Sequence, residues 1–137
     1  MAAVTPNFDA SGLSALASRM LDVESMPWES TRFPGIEIKT LLKDTETGLL
    51  TTLVRMAPGA RLPDHEHVEI EQTWILEGSL ADHEGEITAG NYVWRPAGSR
   101  HEAWSPNGGL FLAFFCKPNR FYDTEGGADI SGQTYSD

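Results

Sequence analysis

The chain has 137 residues, room for one compact domain with a single core. Acidic residues outnumber basic ones by 20 to 10, the pI is near 4.7 and no run of Lys or Arg occurs, which disfavours nucleic acid and anionic membranes as partners. One cysteine leaves no intrachain disulfide, and no basic-then-apolar leader or bilayer-length apolar run is present, so the expected compartment is a reducing cytoplasm.

In chain order, Asp9 to Val23 carries Leu13, Leu16, Met20 and Leu21 at helical spacing, with Asp9 as a cap and Gly12 as a weak point. It predicts a short N-terminal helix packed on the domain body or on a second subunit. Met26 to Pro34, bracketed by Pro27 and Pro34, reads as an irregular or edge segment. From Gly35 the pattern changes to short strands. Ile36, Ile38 and Thr40 alternate with charged neighbours, and Asp44 to Gly48 is a turn. Further strands are predicted at Leu49–Met56, Thr73–Leu76, Tyr92–Arg95, Glu102–Trp104 and Leu110–Cys116, with a hairpin near His83–Gly85 that Ile87 closes. Many short strands separated by Gly and Pro predict an all-β sandwich or barrel.

Three parts follow: an arm over 1–33, a β body over 34–122 and a tail over 123–137. The tail is polar and Gly-rich, and is expected to be loosely ordered or laid on a neighbour. Trp74, Trp94, Trp104, Phe111, Phe114 and Phe115 read as core, with one or two facing a cavity. Cys116 reads as a buried, inert thiol, His83 as exposed in its turn, and Arg55 as a solvated or structural arginine in preference to one that pairs with a substrate oxygen.

Two stretches carry chemistry. In Gly59-Ala-Arg-Leu-Pro-Asp-His65-Glu-His67-Val-Glu-Ile-Glu71, the two histidines are two apart, so on a strand both imidazoles leave from one face and can meet one ion. Glu71 starts the next strand, where its carboxylate can close on the same ion or orient an imidazole from behind. Imidazole with carboxylate suits iron, zinc, manganese, nickel or copper better than calcium or magnesium. In Gly90-Asn-Tyr-Val-Trp-Arg-Pro96-Ala-Gly98-Ser-Arg-His101, Pro96 and Gly98 force a turn that delivers His101 to a strand start, as the missing ligand. Residues at the parity of His101 point inward, which brings in Ala103 and sends Glu102 and Trp104 out.

Both stretches resemble the signature motifs of the cupin superfamily, with each framing glycine and the proline in place. Ser105 stands at a position usually held by asparagine, which is not a ligand. Pro34-Gly35-Ile36, Leu41-Leu42 and Leu53 to Ala60 resemble the cupin subgroup that holds the ChrR anti-sigma sensor domain and the acetylacetone and dihydroxyacetophenone dioxygenases. Phe114 to Asp123 resembles the C-terminal stretch of those enzymes. The resemblance implies a single cupin β-barrel (a double-stranded β-helix, or jelly roll) binding one divalent metal ion through His65, His67, His101 and Glu71. In the acetylacetone enzyme it implies three histidines alone.

The implied activity is ferrous-dependent cleavage of a carbon–carbon bond in a small diketone or hydroxyketone, with zinc, nickel or manganese as other occupants. The alternative is a metal-binding sensor or regulatory domain without catalysis. Met1 to Glu24 contains neither His nor Cys, which argues against sigma-factor binding in the manner of ChrR. No Ser-His-Asp or Cys-His set and no phosphate loop occurs, so hydrolytic nucleophile chemistry has no support. The expected partners are a small-molecule substrate and a second copy of the chain, as a homodimer or a dimer of dimers.

Overall fold

The computed structural model describes residues 3–135. The first strands in chain order are β1 (Ala3–Val4), β2 (Glu29–Ser30), β3 (Ile36–Asp44), β4 (Leu50–Met56), β5 (Arg61–Glu66) and β6 (Glu71–Asp82). They are followed by β7 (Gly85–Thr88), β8 (Tyr92–Arg95), β9 (Arg100–Trp104), β10 (Gly109–Phe115) and β11 (Arg120–Phe121). All of the strand pairings are antiparallel, and they curl into the all-β barrel that the sequence predicts. One wall carries β3, β4, β10, the first half of β6 and β8. The other carries the second half of β6 with β7, β9, β5 and β11.

Strand β6 belongs to both walls. Its segment Glu71–Glu77 pairs with β10, while Ser79–Asp82 pairs with β7. Gly78 lies at the crossing, with φ +68, and a Cβ there would sit 1.9 Å from the carbonyl oxygen of Gly108. Only glycine allows both this backbone and this approach. That is why the strand runs on for twelve residues where the sequence pattern stops it at Leu76. The core between the walls is Phe33, Ile36, Met56, Ile75, Leu80, Ala103, Phe111 and Phe121, with Ile75 fully buried. Ser105 is also fully buried and donates to the Ser79 carbonyl at 2.6 Å, so it latches the end of β9 to β6.

Four expectations are corrected. The predicted helix over Asp9–Val23 does not form; the arm is a run of turns ending in one 3-10 turn at Val23–Ser25. Leu16 and Met20 are 96% and 84% exposed, so the apolar stripe has no surface to pack on, and a marginal helix gains nothing to offset its nucleation. Trp74, Trp94 and Phe114 are not core: they stand on the outer face of the barrel, and of the six aromatic residues only Phe111 is fully enclosed. Phe115 does line the interior cavity. Cys116 is exposed, because β10 ends one residue earlier. Lastly, the tail lies on its own barrel. Phe121 and Ala128 exchange backbone hydrogen bonds of 2.6 and 2.9 Å, and Arg32 pairs with Asp123 and donates to the Asp129 carbonyl.

The crossing at Gly78 generates the first prediction. Gly78→Ala should destabilise the fold by about 2–4 kcal/mol, since backbone on both strands must shift. Urea unfolding checks this; a loss below about 0.5 kcal/mol would show that the strand crosses by another route.

Candidate metal centre

Register brings the histidines together. Strand β5 pairs with β9 so that His65 lies directly opposite His101, with ring centroids 4.6 Å apart. His67 lies one residue beyond the end of β5, so the two imidazoles of the first motif do not both sit on the strand. It is placed instead by the turn at Pro96–Ser99: its backbone N–H donates to the Ser99 carbonyl at 2.9 Å, and the Gly98 N–H donates back to its carbonyl at 2.7 Å. Its ring lies 5.2 Å from that of His65 and 4.7 Å from that of His101. One donor atom from each of the three histidines lies within 4.8 Å of the others.

Each Nδ1 is engaged from behind. His65 Nδ1 faces the Pro63 carbonyl at 2.8 Å, His67 Nδ1 faces the Ser99 carbonyl and hydroxyl at 3.0 and 2.8 Å, and His101 Nδ1 faces Asp82 Oδ2 at 2.7 Å. Carbonyls and a carboxylate accept only, so each imidazole carries its proton on Nδ1 and turns the Nε2 lone pair inward. His67 Nε2 is buried and has no hydrogen-bond partner among the described residues. Such an atom is costly without a ligand.

Burial pushes the His65 imidazole down to about 4, from an ordinary value of 6.5, against the opposing hydrogen bond to Pro63. Burial also lowers His67 and His101. All three are therefore neutral at pH 7 and able to bind a cation.

Glu71 is buried beside this cluster but is not one of the mutually close set. Its Oε1 is 3.7 Å from His67 Nε2 and accepts from Asn119 Nδ2 at 2.8 Å; its Oε2 accepts from Thr73 Oγ1 at 2.8 Å. Burial works to raise its pKa, but its pairing with His67 and the Asn119 hydrogen bond outweigh it and hold the carboxyl below its ordinary value. Two donors on one ion with bonds of about 2.1 Å can stand no more than about 4.2 Å apart. The contact to His67 satisfies that limit.

Asp82, Arg95 and Asn119 were not singled out from the sequence. Asp82 ends β6 and is buried; it accepts from His101 and from Arg95 Nη1 at 3.0 Å. Burial would raise this carboxyl, and the His101 hydrogen bond and the Arg95 charge hold it below the usual range. Arg95 Nε stands 4.0 Å from Glu71 Oε2, so one guanidinium links the two carboxylates flanking the cluster. A pairing of residues 13 apart, on strands that the turn signals separate, leaves no local pattern to read. Ala103 points inward, as parity predicts, and His83 is exposed. Arg55 is structural: it pairs with Glu37 at 2.8 Å and lies 4.1 Å over the Trp28 ring.

On one side the cluster opens on an apolar cavity of ≈ 70 Å³, walled by Val54, Met56, Leu80, Phe111, Phe115 and Ile130. At about 10–15 Å³ for one water, that is space for a molecule of a few heavy atoms. Glu71, Arg95, Asn119, His65 and His101 supply its polar end. On the other side His67, Asp82, Trp94 and Ser99 line a more polar groove.

The depressed imidazoles predict a pH dependence for the metal-free protein. Their folded pKa values lie below the unfolded value of 6.5, so the unfolded chain binds more protons in acid. Their contribution is full above pH 6.5 and is lost as pH falls toward about 4. Urea unfolding at pH 7 and pH 5 should show lower stability at pH 5, with the loss opposed by saturating zinc. Equal stability at both values would place the histidines in solvent.

The family model for the ChrR cupin-like domain matches residues 17–119. No curated protein sequence matches the chain significantly. Among solved structures, a candidate acetylacetone dioxygenase from Methylibium petroleiphilum PM1 superposes with a TM-score of 0.73 at 21% identity, over 85% of this chain and 88% of that one. The acetylacetone dioxygenase of Acinetobacter johnsonii gives 0.69 at 18% identity, over 87% and 88%. The anti-sigma factor ChrR of Rhodobacter sphaeroides, solved with SigE, gives 0.58 at 21% identity, over 68% of this chain and 50% of that one. At these identities the neighbours show the fold, and the matched span is most of the chain. The chain belongs to the ChrR cupin-like domain family.

Proposed function

We propose that this cupin is a metal-dependent dioxygenase that cleaves a carbon–carbon bond in a small diketone or hydroxyketone. The observation that carries the reading is the convergence of three neutral imidazoles, each locked by an acceptor at Nδ1, with two of them, His65 and His101, lining the polar end of an apolar cavity. The donor set fits a divalent first-row metal: His65, His67 and His101 would hold it, and Glu71, 3.7 Å from His67 Nε2 but outside the mutually close set, would be the fourth donor if its carboxylate turned toward the ion. Three or four protein donors would leave coordination positions for a substrate. Ferrous iron, when bound, supplies the redox chemistry that lets dioxygen react with an organic molecule.

The other roles fall to the chain's own residues. The apolar walls exclude water and admit only a small molecule with little polar surface. Arg95 offsets the charge of Glu71 and Asp82, so the site does not collect unbalanced negative charge. Asp82 holds His101 in the tautomer that binds. The dioxygenase neighbours support this substrate class, and a reducing cytoplasm suits a ferrous ion. A non-catalytic metal sensor uses the same ligands and is supported by the family match; oxygen consumption separates the two.

The iron-loaded protein should consume oxygen with a small β-diketone or hydroxyacetophenone, and His101→Ala should lower metal content at least tenfold and abolish uptake. Metal analysis with an oxygen electrode reads both. Full metal occupancy in the variant breaks the ligand assignment; full wild-type occupancy without uptake on any such substrate leaves binding alone.

A further inference from the structure

The outer face of the larger wall has the wrong polarity for a surface in water. In β6 the side chains turned inward include Glu71 and Thr73, whereas Trp74 and Leu76 are turned out. Strand register extends this face into two rows. Leu53, Leu112, Trp74 and Tyr92 are aligned across β4, β10, β6 and β8, and Thr51, Phe114, Gln72 and Trp94 form the row beside it. Across these four strands neither row holds a charged residue; the first ends on β3 at Lys39, which is buried. Trp74, Leu76, Tyr92, Trp94 and Phe114 are 40–55% exposed, and Tyr92 donates to Gln72 Oε1 at 2.7 Å between the rows.

At 150–250 Å² for each large side chain, these five leave about 500 Å² of contiguous apolar surface, near the upper limit for a monomer. The arm covers only the neighbouring part of this face. Lys39 Nζ, next to Leu53 in register, donates to the Val23 carbonyl at 2.7 Å and lies under Trp28. Leu16 and Met20 of the arm are themselves exposed and so do not cover it.

We infer that this aromatic face is the contact between two copies of the chain, packed sheet on sheet about a two-fold axis near Trp74 and Leu112. Pairing the face with itself removes about 1,000 Å² from these side chains alone, and the surrounding rim brings the total into the 1,200–2,000 Å² range of stable interfaces. Charge selects the same occupant. Each copy carries a net charge of −10, so copies repel except across an uncharged face, and an anionic membrane is repelled with no basic residue in the two rows to compensate. Twisted sheets stack in this way with their strands rotated by about 30°. The inference names the face of the proposed self-association and does not depend on the metal.

Sedimentation equilibrium tests it. The wild-type protein should show twice the 15.0 kDa chain mass, or four times it if such pairs associate further. Trp74→Lys and Phe114→Lys should each fall to a smaller species with unchanged far-UV circular dichroism, while His83→Lys in an exposed turn keeps the wild-type mass. Dilution of the wild type through its mass transition should shift tryptophan emission to the red, which keeps the test alive if a variant misfolds. A single-chain mass at every concentration, an assembly that survives both substitutions, or a transition without an emission shift overturns the inference.

Discussion

Three imidazoles packed within one hydrophobic barrel must each dispose of a proton, and the whole site follows from where those protons go. Pro63 and Ser99 take two of them, and Asp82 takes the third. With Nδ1 committed in each ring, Nε2 is the nitrogen left for a ligand, and the buried His67 Nε2 has the Glu71 carboxylate at 3.7 Å, an arrangement that repels unless a cation lies between them. Burial then keeps the rings neutral. The same desolvation that depresses their pKa values preserves the lone pairs for a metal.

That arrangement depends on the route of β6. By crossing from one wall to the other at Gly78, the strand puts Glu71 at one end of the cluster and Asp82 at the other, and Arg95 ties the two carboxylates together. It also explains the outer face. A strand that turns Glu71 and Thr73 inward to serve the site must turn Trp74 and Leu76 outward. Buried polarity at the centre and exposed aromatics on the surface are two results of one alternation.

The legible parts of the sequence were those with local spacing. His65, His67 and His101 stand out as candidate ligands by their spacing and framing turns, and the structure brings the three together; the strands from Ile36 onward follow from alternation and from Gly and Pro punctuation. Three parts were not legible, each for a physical reason. The Asp9–Val23 pattern had the right period, but a helix of that length requires a surface to bury its leucines, and only tertiary structure supplies one. The tryptophans were assigned to the core by residue type, yet alternation gives two faces without saying which is inside. Asp82 lies 19 residues from the histidine it orients, and nothing near either residue records the pairing. Glu71 was named from its place in the motif, and its neighbours Asn119 and Thr73 are what the structure adds.

The central claim is that three histidines share one ion through Nε2. X-ray absorption at the metal edge of the iron- or zinc-loaded protein tests it most directly. The account predicts one ion per chain, with three imidazole nitrogens at about 2.0–2.1 Å and the outer-shell scattering typical of fixed rings. A first shell of oxygen alone, with no imidazole scattering, would contradict it.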